Sequence, residues 1–192
     1  MNTKIAIILG IVVVAGFSVI AWLTLQSEES RQKLFSAARK GDITYLSKHI
    51  NNPKDMNARD SLGQTVMHTV AYKGTPEVLT LLLDKGGDIH AKDYKNGTPL
   101  HWAAINGKVY NLKLLLKRGA NPNAVDNRGM TPMHWAATAF RINNFTKTVN
   151  IHLLIKSGGD PSIKDDRNHD LRYYATTKRI TETLNLLNKL KQ

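Results

Sequence analysis

Three stretches of this 192-residue chain fall into one phase: Asp60-Ser-Leu-Gly63-Gln-Thr65-Val-Met-His68, Asp93-Tyr-Lys-Asn-Gly97-Thr98-Pro99-Leu100-His101 and Asp126-Asn-Arg-Gly129-Met-Thr131-Pro132-Met133-His134. The aspartates, threonines and histidines each recur at intervals of 33. A second signature follows in the same phase, LLLDKGGDIHA, LLLKRGANPNA and LLIKSGGDPSI. A unit of that length cannot bury an apolar face by itself, so its copies must stack against one another.

The residues within one period describe the unit. Thr98 and Thr131 suit helix N-caps, and Pro99 and Pro132 suit the first helical position. Ala103, Ala104, Ala136 and Ala137 leave little side chain between neighbouring helices. Gly107 ends that short helix. Val109, Leu112, Leu115 and Leu116 then recur at helical spacing as the buried face of a second one. Gly86, Gly119 and Gly158 stand where a helix ends in a left-handed residue. The sequence Asn121-Pro122-Asn123 leads through a turn to the next aspartate.

Together the two signatures closely resemble the ankyrin repeat, with its period of about 33 and its T-P-L-H-x-A motif. The resemblance implies an all-α solenoid of about five helix-turn-helix repeats, covering residues 31–192. The units run 31–59, 60–92, 93–125, 126–164 and 165–192. The first is a divergent opening copy without the Thr-Pro start. The last is a closing copy in which Tyr173 takes the place of the histidine and Asp170 that of the threonine. The step from Asp126 to Asp165 is 39, so six residues are inserted, within ATAFRINNFTKTVN. They read either as a tolerated loop or as a finger presenting Phe140, Arg141 and Phe145.

Residues 1–26 have another character. Ile5 to Leu25 is an uncharged apolar run of about 30 Å as a helix, enough to span a bilayer, with Lys4 before it and a polar tether at 27–30 after it. Its length favours a retained transmembrane signal-anchor over a cleaved signal peptide, although Val19 and Ala21 permit cleavage before Trp22. The expectation is a single-pass membrane protein. Basic residues at 31, 33, 39 and 40 argue for a domain left inside, whereas folded domains cross regardless of charge; the reading adopted is a domain exported to the periplasmic side.

Catalytic chemistry finds no support. The absence of cysteine excludes thiol catalysis and cysteine-ligated zinc. His68, His101 and His134 belong to the repeat signature, where the resemblance implies hydrogen bonding to backbone. Helices stacked roughly 8–10 Å apart do not bring such rings within the ~2 Å of a zinc ion. His49, His90, His152 and His169 lack metal-motif spacing. No catalytic residue, cofactor or metal is expected, and the protein reads as a non-enzyme.

What remains is a surface. In the ankyrin family the loop tips and first helices form a concave protein-binding groove. Repeat phase places Leu62, Gln64, Tyr72 and Lys73 there, followed by Tyr94, Lys95, Ile105 and Asn106, then Arg128, Met130, Thr138 and Phe140. Trp102 and Trp135 share one phase and read as inter-repeat packing. With 27 Lys+Arg against 15 Asp+Glu the formal charge is +12, which favours an acidic partner. Two functions stand: a monomeric, membrane-tethered module gripping an acidic protein, or a basic domain held by charge alone on anionic membrane or nucleic acid. Small membrane-targeted bacterial ankyrin proteins resemble the first layout; some are immunity proteins that neutralise a secreted toxic enzyme, and others protect an envelope enzyme.

Overall fold

A computed structural model describes residues 27–50 and 53–190. Among these, the regular elements are helices: α1 (27–40), α2 (Ile43–His49), the single turn α3 (Pro53–Met56), α4 (Val66–Lys73), α5 (Pro76–Asp84), α6 (Pro99–Ile105), α7 (Val109–Lys117), α8 (Pro132–Thr138), α9 (Asn144–Lys156), α10 (Leu171–Thr177) and α11 (Thr181–Lys189). Apart from α3 they form five successive helix-turn-helix pairs. Helices α4, α6, α8 and α10 line up as an inner row, and α5, α7, α9 and α11 form an outer row that α2 extends at the front. Residues 27–30, expected as a tether, are the first turn of α1. Residues 5–25 lie outside the described range. Within it, no helix is long and apolar enough to cross a membrane.

The rows pack as the residue types require. Ala71, Ala103, Ala104, Ala136 and Ala137 have no exposed surface, so inner helices approach closely. Leu79 and Leu82, Leu112 and Leu115, and Ile151 and Leu154 fill the space between rows. Leu116 and Val109, expected in that set, are only half-buried. The place is taken by Asn111, whose Nδ2 donates to the carbonyls of Val70 and Gly74, each at 3.1 Å. Asn150 repeats the device one unit later, donating to Ala104 O at 3.1 Å. Each amide adds a donor to carbonyls at the C-terminal end of the preceding inner helix. Gly86, Gly119 and Gly158 adopt the left-handed conformation that their sequence context predicts.

Each signature histidine caps the start of one inner helix, and two of the three tie it to the next repeat. Nδ1 of His101 accepts the Thr98 N–H at 3.1 Å and lies 2.9 Å from the Thr98 hydroxyl. Because Nδ1 receives a backbone proton, the hydrogen sits on Nε2, which donates to Met130 O at 3.0 Å. His68 makes the same set with Thr65 and Gly97 O. His134 keeps the Thr131 bond at 3.0 Å, but its buried Nε2 closes no hydrogen bond of ordinary geometry. It faces the carbonyl of His169 instead, a looser joint to the closing repeat.

The insertion is mostly helix. α9 has 13 residues where α5, α7 and α11 have nine, and the remaining extra residues lengthen the connection at 139–143. Asn143 caps α9 by accepting Thr146 N–H at 2.8 Å. Ile142 and Thr146 press against Gly107, where a Cβ would lie 2.8 Å from Ile142 Cγ2 and the φ is +65°. That position therefore admits only glycine without displacement. The inserted segment is anchored at its base, and Phe140 and Phe145 stand out from it, 82% and 74% exposed.

The histidine joints carry a pH dependence. Burial depresses the pKa of His68 and His134, and brings that of His101 down from 6.5 to about 4. The unfolded chain therefore binds more protons than the folded one between these values, and stability is lost as pH falls from about 6.5 towards 4. For His101 alone this is on the order of 3 kcal/mol. Urea midpoints of the full chain are expected to decline through that window. A His101→Gln variant should be less stable at pH 7 and show a flatter decline.

Candidate functional site

The tip of each repeat is held by one carboxylate. Oδ1 of Asp93 accepts the N–H groups of Lys95 and Gly97, each at 2.8 Å, and its Oδ2 accepts the Trp102 indole N–H at 2.9 Å. Asp126 does the same with Arg128 N at 2.8 Å, Met130 N at 2.9 Å and Trp135 Nε1 at 2.9 Å. In the closing repeat Asp165 accepts Arg167 N and His169 N, and the Tyr174 hydroxyl replaces the indole. Asp60 makes only the tip bonds, to Leu62 N and Gln64 N at 2.9 Å, because Thr69 occupies the aromatic position.

These contacts set the charge state. Burial of Asp126 favours its neutral form, but bonds from Trp135, Arg128 N and Met130 N outweigh that and hold its carboxyl below the usual range. Asp165 behaves alike, with Tyr174 as the side-chain donor. The Tyr174 hydroxyl is pushed up to about 12, by burial first and then by its bond to Asp165. Asp126 and Asp165 are therefore fixed anions whose lone pairs are already engaged.

The rings so oriented run along the inner face. Tyr72 meets Trp102 edge-to-face at 5.4 Å between centroids, and Trp102 meets Trp135 at 5.5 Å. Over them opens a hollow of about 430 Å³ floored by Trp102, Ile105, Trp135 and Thr138 and rimmed by Lys95 and Arg128. A second hollow of about 220 Å³ continues it past Tyr174, with Arg128 and Arg167 at its rim. A larger one, about 980 Å³, lies at the opening repeat beside Arg31, Tyr45 and Arg59. It sits at the end of the stack, whereas the repeat-phased side chains converge on the inner groove.

The residues expected on this face divide. Lys95, Ile105, Arg128 and Thr138 line the groove. Tyr72 forms the edge of its aromatic floor, and Lys73 lies over the Tyr72 ring at 5.7 Å. Leu62 and Tyr94 are tip residues, 59% and 68% exposed, and the Tyr94 ring covers Gly63, where a Cβ would come within 2.5 Å of it. Gln64 is half-buried in its tip. Asn106 is spent internally, donating to Tyr72 O. Met130, expected as a contact, is buried, and both its backbone N–H and carbonyl are taken, by Asp126 and His101. Phe140 and Arg141 are not on the groove floor; they project from the insertion with the guanidinium 5.3 Å from the ring.

Two parts of the groove escape a reading by phase alone as applied above. Trp102 and Trp135 are at once packing residues and groove floor. Arg167 completes a row with Lys95 and Arg128, each two residues after a tip aspartate, a correspondence that counting from Asp165 shows. Among the described residues no three His, Asp or Glu side chains are grouped to hold a metal ion.

Paired helices joined by tight tips and stacked in two rows define a repeat solenoid that works by surface contact. A family model described as ankyrin repeats (three copies) matches residues 34–126 and, overlapping them, 70–165. The chain belongs to the ankyrin repeat family, and its fold is that of a protein–protein interaction module, a class generally without enzymatic activity. No curated protein matches it.

The carboxylate–indole bond is open to direct measurement. Trp135→Phe keeps an aromatic ring but takes the indole donor from Asp126 Oδ2, leaving it only the 3.4 Å contact from Arg128. A hydrogen bond to a charged group contributes about 1.5–3 kcal/mol, and equilibrium denaturation should show a loss in that range. Trp102→Phe should behave similarly, while Tyr72→Phe, which removes no bond to a tip carboxylate, should not.

Proposed function

We propose that this protein is a non-enzymatic clamp, tethered to a membrane through residues 5–25, that holds an acidic protein along its inner groove. The observation that supports this most is a difference in satisfaction. The floor's polar atoms are engaged within the fold, whereas Lys95 and Arg167 have no ion-pair partner among the described residues. Arg128 reaches Asp126 only at 3.4 Å and stays 59% exposed. An aromatic floor under exposed cations has the composition of binding hot spots, and the net charge would speed encounter with an acidic surface.

The insertion offers a second contact. Two phenylalanines held out on an anchored base, one stacked by Arg141, bring the partner an apolar wedge beside the groove. The domain acts on the periplasmic side, as a monomer, in the manner of an immunity or protective protein that occludes or positions an envelope or secreted enzyme. Generic adhesion of a basic domain to lipid or nucleic acid is the competing account. Against it, outer-row charge is partly neutralised, with Arg118 paired to Asp84 at 2.8 Å.

The test uses full-length chain extracted from its own membranes. Capture of an acidic partner should fall at least about tenfold in a Lys95→Glu/Arg128→Glu variant and weaken with added salt. Phe140→Ser/Phe145→Ser should weaken it independently. Capture that survives the double charge reversal contradicts the groove as the site. Membranes washed at high salt should retain the chain if residues 5–25 span the bilayer and release it if charge alone holds it there.

A further inference from the structure

We infer that the groove's ligand is an extended segment in polyproline-II geometry carrying carboxylates at every third position. This rests on the groove reading above and names the chemistry of what it holds.

Lys95, Arg128 and Arg167 occupy one position in three successive tips. Their carriers are joined by backbone bonds, Asn127 N–H to Lys95 O and Asp166 N–H to Arg128 O, both 2.9 Å. The cations therefore advance with the inner helices, one step of roughly 8–10 Å per repeat. A ligand that satisfies all three must present anions at that interval on a single side.

Three backbone forms compete. A β-strand covers about 10 Å in three residues, but its third side chain points to the opposite face. An α-helix returns to the same face after seven residues, about 10 Å on, but is a cylinder about 10–12 Å across. Shallow hollows of about 430 and 220 Å³, spread over two repeat steps, match the thinner extended chain better than such a cylinder. Polyproline II has three residues per turn and a rise of 3.1 Å, so positions i, i+3 and i+6 fall on one side about 9 Å apart. The intervening residues then lie on flat rings, the surface on which such segments dock. Here the flat surface is the half-buried Trp102 ring, with Ile105 and Thr138 beside it and the edge of Trp135, 7% exposed, at the base of the groove. Leu62 holds the same tip position one step earlier, so the ligand should carry an apolar residue three places beyond its terminal carboxylate.

The test titrates full-length chain with two synthetic seven-residue peptides of one composition, Glu-Pro-Pro-Glu-Pro-Pro-Glu and Glu-Glu-Glu-Pro-Pro-Pro-Pro, reading heat of binding and the indole N–H resonances of Trp102 and Trp135. The spaced peptide should bind at least about tenfold more tightly, shift both indoles, and lose that advantage in Arg128→Glu and in Arg167→Glu. Equal binding of both peptides, abolished by Arg128→Glu, overturns the spacing while leaving the groove as the site. Failure of the spaced peptide to bind overturns the spacing as well. Binding that no charge reversal weakens overturns the spacing and the groove together.

Discussion

The groove depends on the tip aspartate. A loop of four or five residues has many conformations, and fixing it costs about 1–2 kcal/mol per residue in backbone entropy. Asp93, Asp126 and Asp165 offset that cost by accepting two N–H groups of their own turn and, with the second oxygen, a donor nine residues later on the inner helix. One side chain thereby fixes the loop and joins it to the helix. His68 and His101 join their inner helices to the following tips. Loop, helix and next loop form one connected polar network, and Trp102, Trp135 and Tyr174 acquire their orientation from it.

This arrangement separates structural from binding chemistry. Acceptors and donors inside the network are already used, including both nitrogens of His68 and His101, so they are poor candidates for a ligand. What extends beyond it is aromatic surface and positive charge. A preorganised surface binds without first being ordered, which is where a repeat protein can gain affinity. The weakest joint is at the closing repeat, where the third histidine closes no hydrogen bond of ordinary geometry through Nε2 and Tyr174 stands in for an indole.

Much of this was legible in the sequence because it is local. Thr-Pro starts, the glycines at 86, 119 and 158 and the signature histidines act within one repeat, and their spacing revealed both unit and stack. Features that depend on a neighbouring repeat were not legible. Asn111 looks like an unremarkable helix position until its carbonyl partners, 37 to 41 residues earlier, are set beside it. Met130 has the phase of a contact residue, yet its burial follows from tip packing across two repeats. The inserted residues became helix rather than loop because Asn143 supplies a cap and Ile142 finds Gly107, neither of which spacing alone reveals. The double role of the tryptophans is of the same kind, since both pack between repeats while Trp102 stays half-buried and Trp135 only edges the groove.

The central claim is that the tips are rigid before any ligand arrives, and native-state hydrogen exchange tests it most directly. In the full-length chain, the amides of Lys95, Gly97, Arg128 and Met130 should exchange only with the opening of whole repeats, at the free energy of the amides in α6 and α8. Exchange of these four much faster than the helices, through local fluctuation of the tips, would contradict a preorganised groove.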